Sequence, residues 1–148
     1  RELDLSVKTE EMVPIGFLGA GQMAEALAVG FINRGGVSKE IIHFCDPAPA
    51  RVKVFADLGA HHCENNTAVA SRSRLVFVAV KPQYVAGVLQ EIRPVLTPEH
   101  IVISIAAGIT LQMMMTILGG DAKVIRVMPN TPCLVGETAG AMCIGGKV

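Results

Sequence analysis

Short runs of β-branched and other apolar residues recur along the chain, at Ile15 to Leu18, Ile41 to Cys45, Leu75 to Val80, Ile101 to Ile105 and Val124 to Val127. Each is bounded by glycine, proline or a polar cluster, which predicts brief, largely buried strands. Segments of helical character lie between them. Gln22 to Asn33 ends at Gly35-Gly36, and Ala48 to Leu58 ends at Gly59, both C-cap signals. Asn66 to Ser71 has an asparagine available as N-cap, Pro82 suits the first turn of a helix running to about Ile92, and Thr110 can cap Leu111 to Leu118. Strands that alternate with helices predict an α/β fold, a mostly parallel sheet with helices on both faces. Arg1 to Glu11 is polar and lacks periodicity, so residues 1–12 are expected to form a flexible leader and 13–148 a single domain.

The first strand runs into a glycine turn and then directly into a helix, through Val13 to Ala24, VPIGFLGAGQMA. The turn has the form Gly19-x-Gly21-x-x-Ala24. Gly19 permits the sharp turn, Gly21 lets backbone approach phosphate oxygens, and Ala24 lets helix and strand pack closely, while first-turn N–H groups face an anion. This is the pattern of a pyrophosphate cradle in a Rossmann-like, doubly wound sheet. In such sheets ligands bind beyond the carboxyl ends of the strands, so the segments there carry the functional information.

Asp46 follows the second strand at the interval where an acidic residue meets the adenosine ribose; a carboxylate there would repel a 2′-phosphate and so favours NAD(H) over NADP(H). Arg51 is close enough in sequence to pair with that carboxylate or with a phosphate. The alternative is that Asp46-Pro47 only initiates a helix. Ala79-Val80-Lys81-Pro82 and Ala106-Ala107-Gly108 offer small residues against which a nucleotide can lie, and Lys81 is either an anion contact or solvated surface. Met128 to Pro132, MPNTP, is a proline-stiffened loop with Asn130 and Thr131 as polar side chains, an orienter of a ring or simply a turn.

Composition narrows the classes. In 148 residues, 51% are hydrophobic and only 4% aromatic, which predicts a core of Val, Ile, Leu, Ala and Met. The formal net charge is zero and no Lys/Arg run concentrates charge, so neither nucleic acid nor an anionic membrane is expected as partner. No apolar stretch reaches transmembrane length, and Cys45, Cys63, Cys133 and Cys143 form no CxxC pair; together these suggest a cytoplasmic protein with reduced thiols. His61-His62-Cys63 invites a metal reading, but adjacent strand residues point to opposite faces, and a short strand leading into a polar turn is the simpler reading; no metal is expected. Met113 to Met115 reads as helix packing.

Four separated segments in order, IGFLGAGQMAEAL, LVFVAVKPQ, IVISIAAGIT and VIRVMPNTPCLV, resemble pyrroline-5-carboxylate reductase, and the resemblance runs from Val13 to the end. It implies reduction of 1-pyrroline-5-carboxylate to L-proline with NAD(P)H, the last step of proline biosynthesis, by orientation of an already electrophilic imine rather than by an acid or base. It also implies a cofactor loop of Leu18, Gly19, Ala20, Gly21, Gln22 and Met23, with the adenosine end near Asp46 and Asn66. The nicotinamide side would be Ala79, Val80, Lys81, Pro82, Ala106, Ala107 and Gly108, with Asn130, Thr131 and Pro132 near the reacting ring. No catalytic residue is identified in the chain. The family continues into a helical domain for substrate and dimerisation, so this chain is expected to hold the cofactor fold with little or no activity alone, and the full-length enzyme to be a homo-oligomer. Many members carry a small hydroxyl or neutral residue where Asp46 stands and use NADP(H). Competing readings are the cofactor domain of a hydroxyisobutyrate- or phosphogluconate-type dehydrogenase, against which AVKPQ and MPNTP argue, and a non-catalytic nucleotide-binding module.

Overall fold

The computed structural model describes residues 12–128 and 141–146. Seven strands form one sheet: β1 (Ile15–Leu18), β2 (Ile42–Cys45), β3 (His61–His62), β4 (Leu75–Val78), β5 (Ile101–Ser104), β6 (Lys123–Met128) and β7 (Ala141–Gly145). Five α-helices connect them: α1 (Gln22–Asn33), α2 (Pro49–Asp57), α3 (Asn66–Ser71), α4 (Pro82–Ile92) and α5 (Leu111–Leu118). The strand order is β3-β2-β1-β4-β5-β6-β7, so the chain works outward from β1 in one direction, then crosses back to β4 and continues in the other. Every pairing is parallel except β6 with β7.

The helices segregate by that reversal. On one face α1 and α2 pack through Ala24, Ala28, Phe31, Val52 and Phe55; on the other α3, α4 and α5 pack through Val69, Ala70, Val85, Leu89, Ile92, Met114 and Leu118. The second layer is the aliphatic and methionine core that composition predicts. The first departs from it: all five phenylalanines gather there. Phe17 stacks on Phe77 at 5.1 Å and meets Phe55 edge-on at 5.7 Å, while Phe31 lies 5.6 Å from Phe77 and Phe44 lies 5.0 Å from Phe55. Register explains the gathering, because Phe17 is paired with Phe44 on one side and with Phe77 on the other. Each buried ring of this kind contributes about 1.5–3 kcal/mol.

Five strand boundaries move by a residue or two from the pattern-based reading. Ile41 belongs to a 3-10 turn (Lys39–Ile41), and Ala79, Val80 and Ile105 have left their ladders although the Ala79 and Ile105 N–H groups still reach Leu18 O and Val78 O. β6 extends to Lys123 and Met128. The larger correction is β7, which the pattern did not signal: β6 is not the last strand, and Ile125 and Val127 pair with Ile144 and Met142. AMCIG is short, ends in glycine and exposes Met142 and Ile144, so it lacks the inward-outward alternation that marks a strand.

Gly16 fixes how closely α3 approaches β1. A Cβ at this position would stand 2.5 Å from Ser73 Oγ and 2.7 Å from Val69 Cγ1. Gly16→Ala should therefore destabilise the fold by about 1–3 kcal/mol through overpacking, seen as a lower urea midpoint at unchanged slope.

Candidate functional site

The reversal of strand order between β1 and β4 splays the segments that follow them and opens a crevice at the carboxyl ends of the strands. A cleft of about 250 Å³ lies there, walled by Gly21, Gln22, Met23 and Ala24 on one side and by Ala79 to Pro82 and Ile105 to Ala107 on the other.

The turn that begins the cleft is forced. Gly19 has φ +98°, its N–H donates to Cys45 O at 2.9 Å, and a Cβ there would sit 2.8 Å from Ala79 O, so both conformation and space demand glycine. Gly21 is the opposite case. Its φ is −72°, and a Cβ would meet no atom within 4 Å, so the space beside it belongs to the cleft rather than to the fold. Gly21 is also the N-cap of α1, and no side chain caps that helix, which leaves first-turn N–H groups directed at the cleft its residues line.

A polar brace holds the turn from beneath. Asp46 Oδ2 accepts the N–H of Ala20 and Oδ1 accepts the N–H of Ala48, each at 2.8 Å. Arg51 Nε donates to Ala20 O, and Arg51 Nη2 pairs with Glu25 Oε2 at 2.6 Å in a partly buried ion pair. Asp46 thus performs the turn-building role that sequence left as one of two alternatives, and Arg51 pairs with Glu25 and Ala20. The brace links residues 26 to 31 positions apart, a separation at which sequence carries no pairing signal.

The remaining predicted positions divide clearly. Gly21, Gln22, Met23, Ala79, Val80, Lys81, Pro82, Ala106 and Ala107 line the cleft together. Leu18 and Ala20 are fully buried beneath it, and Gly108 turns with φ +72° just past it. Asn66 begins α3 farther along the rim, where its Nδ2 donates to Glu91 Oε2 at 3.1 Å. Lys81 is exposed, with no side-chain partner among the described residues. Asn130, Thr131 and Pro132 lie outside the described residues. Ile105 and Ala24 join the cleft wall without having been singled out as contacts.

Two other features need placing. A larger hollow of about 460 Å³ opens between Arg93 to Pro98, His100 and the α5–β6 turn, at the amino ends of β5 and β6. Its position, at the far end of the sheet from the glycine turn, separates it from the strand-end crevice. On the β3 edge, His61 stacks on His43 at 5.5 Å while His62 lies against Phe44, so neighbouring histidines do face opposite ways. Burial first, then the charges of His61 and Arg72, pull the pKa of His43 below its ordinary value. Among the described residues no three His, Cys, Asp or Glu side chains are grouped to hold a metal ion, and no helix is long and apolar enough to cross a membrane.

Comparison with known proteins gives this arrangement a lineage. The family model described as NADP oxidoreductase, coenzyme F420-dependent, matches residues 14–108, from the start of β1 through the cleft. The chain belongs to that family. The chain is also 42% identical over 131 residues to pyrroline-5-carboxylate reductase 3 of Rattus norvegicus, covering 88% of this chain and 48% of that protein. Among solved structures, pyrroline-5-carboxylate reductase from Coxiella burnetii superposes with TM-score 0.87 at 30% identity, over 92% of this chain and 51% of that one. The Plasmodium falciparum pyrroline carboxylate reductase with NADP bound gives 0.80 at 32% identity, over 93% and 50%. The chain spans about half the length of the curated relatives it matches.

Removing the Asp46 carboxylate leaves the buried Ala20 N–H without its acceptor and frees the α2 entry. Asp46→Ala should lower stability by about 1–3 kcal/mol in chemical denaturation, and Asp46→Asn, which keeps one acceptor oxygen, by less.

Proposed function

We propose that residues 13–148 form the dinucleotide-binding part of a pyrroline-5-carboxylate reductase, which reduces 1-pyrroline-5-carboxylate to L-proline with a reduced nicotinamide dinucleotide. The observation that carries this reading is the open cradle at Gly21, a position where a Cβ has free space in the fold yet would fill the floor of the cleft. The residues fit the group. Gly21 and the uncapped start of α1 would receive the pyrophosphate, Asp46 and Asn66 would lie toward the adenosine end, and Ala79 to Pro82 with Ala106 to Gly108 would flank the nicotinamide.

When bound, the dinucleotide supplies the hydride. The chain's part is binding and orientation: backbone and small side chains on both walls bring the ring to one fixed place, and among the described residues no carboxylate or histidine lines the cleft to act as acid or base. An imine already protonated needs no further activation, which is why a cleft without such groups suits this chemistry. Asn130 to Pro132 follow β6 in the sequence and are proposed to approach the reacting ring. Because the match spans about half of the relatives, the activity proposed for this span alone is cofactor binding with little or no turnover, and the whole enzyme is proposed to be a homo-oligomer.

For the cofactor, we favour NAD(H). Asp46 uses both oxygens on backbone N–H groups, yet its charge would remain beside the proposed ribose position, and each unit of charge on a 2′-phosphate brought within about 6 Å would meet ~2–3 kcal/mol of repulsion at an effective dielectric of ~20. The P. falciparum structure holds NADP, so the preference is a test of this chain's own residue.

Fluorescence titration of the chain with NADH and NADPH decides the matter. NADH should bind at least tenfold more tightly, Asp46→Asn should narrow that ratio, and Gly21→Val should weaken both by at least tenfold while costing the fold no more than the roughly 1 kcal/mol of a poorer N-cap residue. Equal weakening of fold and binding by Gly21→Val would remove the cradle reading, and a strong preference for NADPH would overturn the role given to Asp46. A turnover assay of the full-length enzyme on the cyclic imine and on short hydroxy acids separates the reductase from its dehydrogenase relatives.

A further inference from the structure

At the β2–β3 edge two cysteines stand side by side. Phe44 pairs with His62 in the parallel ladder, and the Cys63 N–H continues it by donating to Phe44 O at 2.8 Å. Cys45 ends β2 and Cys63 directly follows β3, so continuing the His43–His61 and Phe44–His62 register by one residue aligns Cys45 with Cys63, on the face where the rings of His43 and His61 stack. Neighbouring strands run about 4.8 Å apart, inside the Cα separation of ~4.4–6.8 Å that disulfides span. Both cysteines pack in the α3–α4–α5 layer. β3 is two residues long at the sheet edge, so a shift of about 1 Å to reach a Cβ separation of ~3.8 Å disturbs little else on that side.

The other side of Cys45 is the cofactor turn. Its carbonyl accepts the Gly19 N–H at 2.9 Å, and the next residue, Asp46, accepts the Ala20 N–H at 2.8 Å. Any displacement of the end of β2 therefore reaches the glycine turn at two consecutive residues.

We infer that Cys45 and Cys63 form a thiol–disulfide pair whose closure loosens the glycine turn, making the cleft responsive to small oxidised disulfides. The chemistry balances without a further reagent. Cys45, half-buried, is the sulfur an incoming disulfide RSSR reaches; its thiolate attacks one sulfur, forming Cys45–S–S–R and releasing RS⁻. Cys63, only 1% exposed, then attacks the Cys45 sulfur, forming the intramolecular bond and releasing the second RS⁻. Two protein thiols give up two electrons and two protons in all, and RSSR becomes two RSH. Arg72 Nη1, 3.4 Å from Cys63 Sγ, is the donor placed beside the sulfur that makes the second attack. Burial first, then Cys63 and the carboxylates of Glu91, Asp46 and Glu64, push the Cys45 thiol up, so exchange is slow at neutral pH and faster in alkaline buffer.

The test uses the whole chain with oxidised glutathione at about pH 8.5, near the ordinary thiol pKa, followed by alkylation and peptide mass mapping. The expected product is a monomer with a Cys45–Cys63 linkage. Cys63→Ser should stop at the glutathionyl adduct of Cys45, and Cys45→Ser should leave Cys63 free. Amide exchange at Gly19 and Ala20 should rise at least tenfold on oxidation and return with a dithiol reductant. The accompanying loss of dinucleotide affinity, at least fivefold, rests on the function proposed above, whereas mapping and amide exchange do not. Linkage to Cys133 or Cys143, adducts without an internal bond, or a linked protein with unchanged exchange at Gly19 and Ala20 would each overturn the inference. A reduced chain that binds no dinucleotide would instead count against the proposed function and leave the pairing to be decided by the other two readouts.

Discussion

The carboxylate of Asp46 is the joint on which the cleft depends. It binds the N–H of Ala20, inside the glycine turn, and the N–H of Ala48, at the entry to α2, and so fastens β1's exit to β2's exit with one side chain. Arg51 then reaches back from α2 to Ala20 O and to Glu25 on α1. The first turn of α1 is thereby held from two directions by groups that do not enter the cleft. An anion site made of backbone N–H groups has no side chain to adjust, so its precision must come from such supports. The close approach of Gly19 to Ala79 sets the other wall by the same economy of space.

How much of this was legible in the chain depends on the range of the interaction responsible. The strand-turn-helix at Val13 to Ala24, the caps at Thr110 and Asn65, and the proline entry of α4 are written in neighbouring residues, and the structure follows them. Strand order was predictable as a class, since helices between short apolar runs leave few topologies. The cleft itself was legible because a doubly wound sheet gathers strand ends, and nine of the predicted contacts meet there.

The rest was set by contacts across the sequence. Nothing near Gly16 says that Val69 and Ser73 will stand over it, and nothing near Glu25 names Arg51 as partner. The five phenylalanines, spread from residue 17 to 77, become a cluster only when strand register aligns them. Asp46 was ambiguous for a different reason: a turn-building carboxylate and a ribose acceptor occupy the same place at the end of β2, and only the positions of two N–H groups reveal the first role. β7 was missed because its stability comes from pairing with β6 rather than from its own pattern.

That last strand also sets how the polypeptide behaves in a test tube. Among the described residues β7 is the last strand of the sheet and its outer edge has no partner strand, and Met142 and Ile144, 62% and 55% exposed, project from it beside the partly covered Ile125 and Val127. An open ladder bordered by bare apolar side chains is a template for adding further strands from other molecules. Colloidal behaviour of this span is thus governed at the side of the sheet opposite β3. Lysine at residue 142 or 144, rather than any change near the cleft, is the place to improve solubility for crystallisation or spectroscopy.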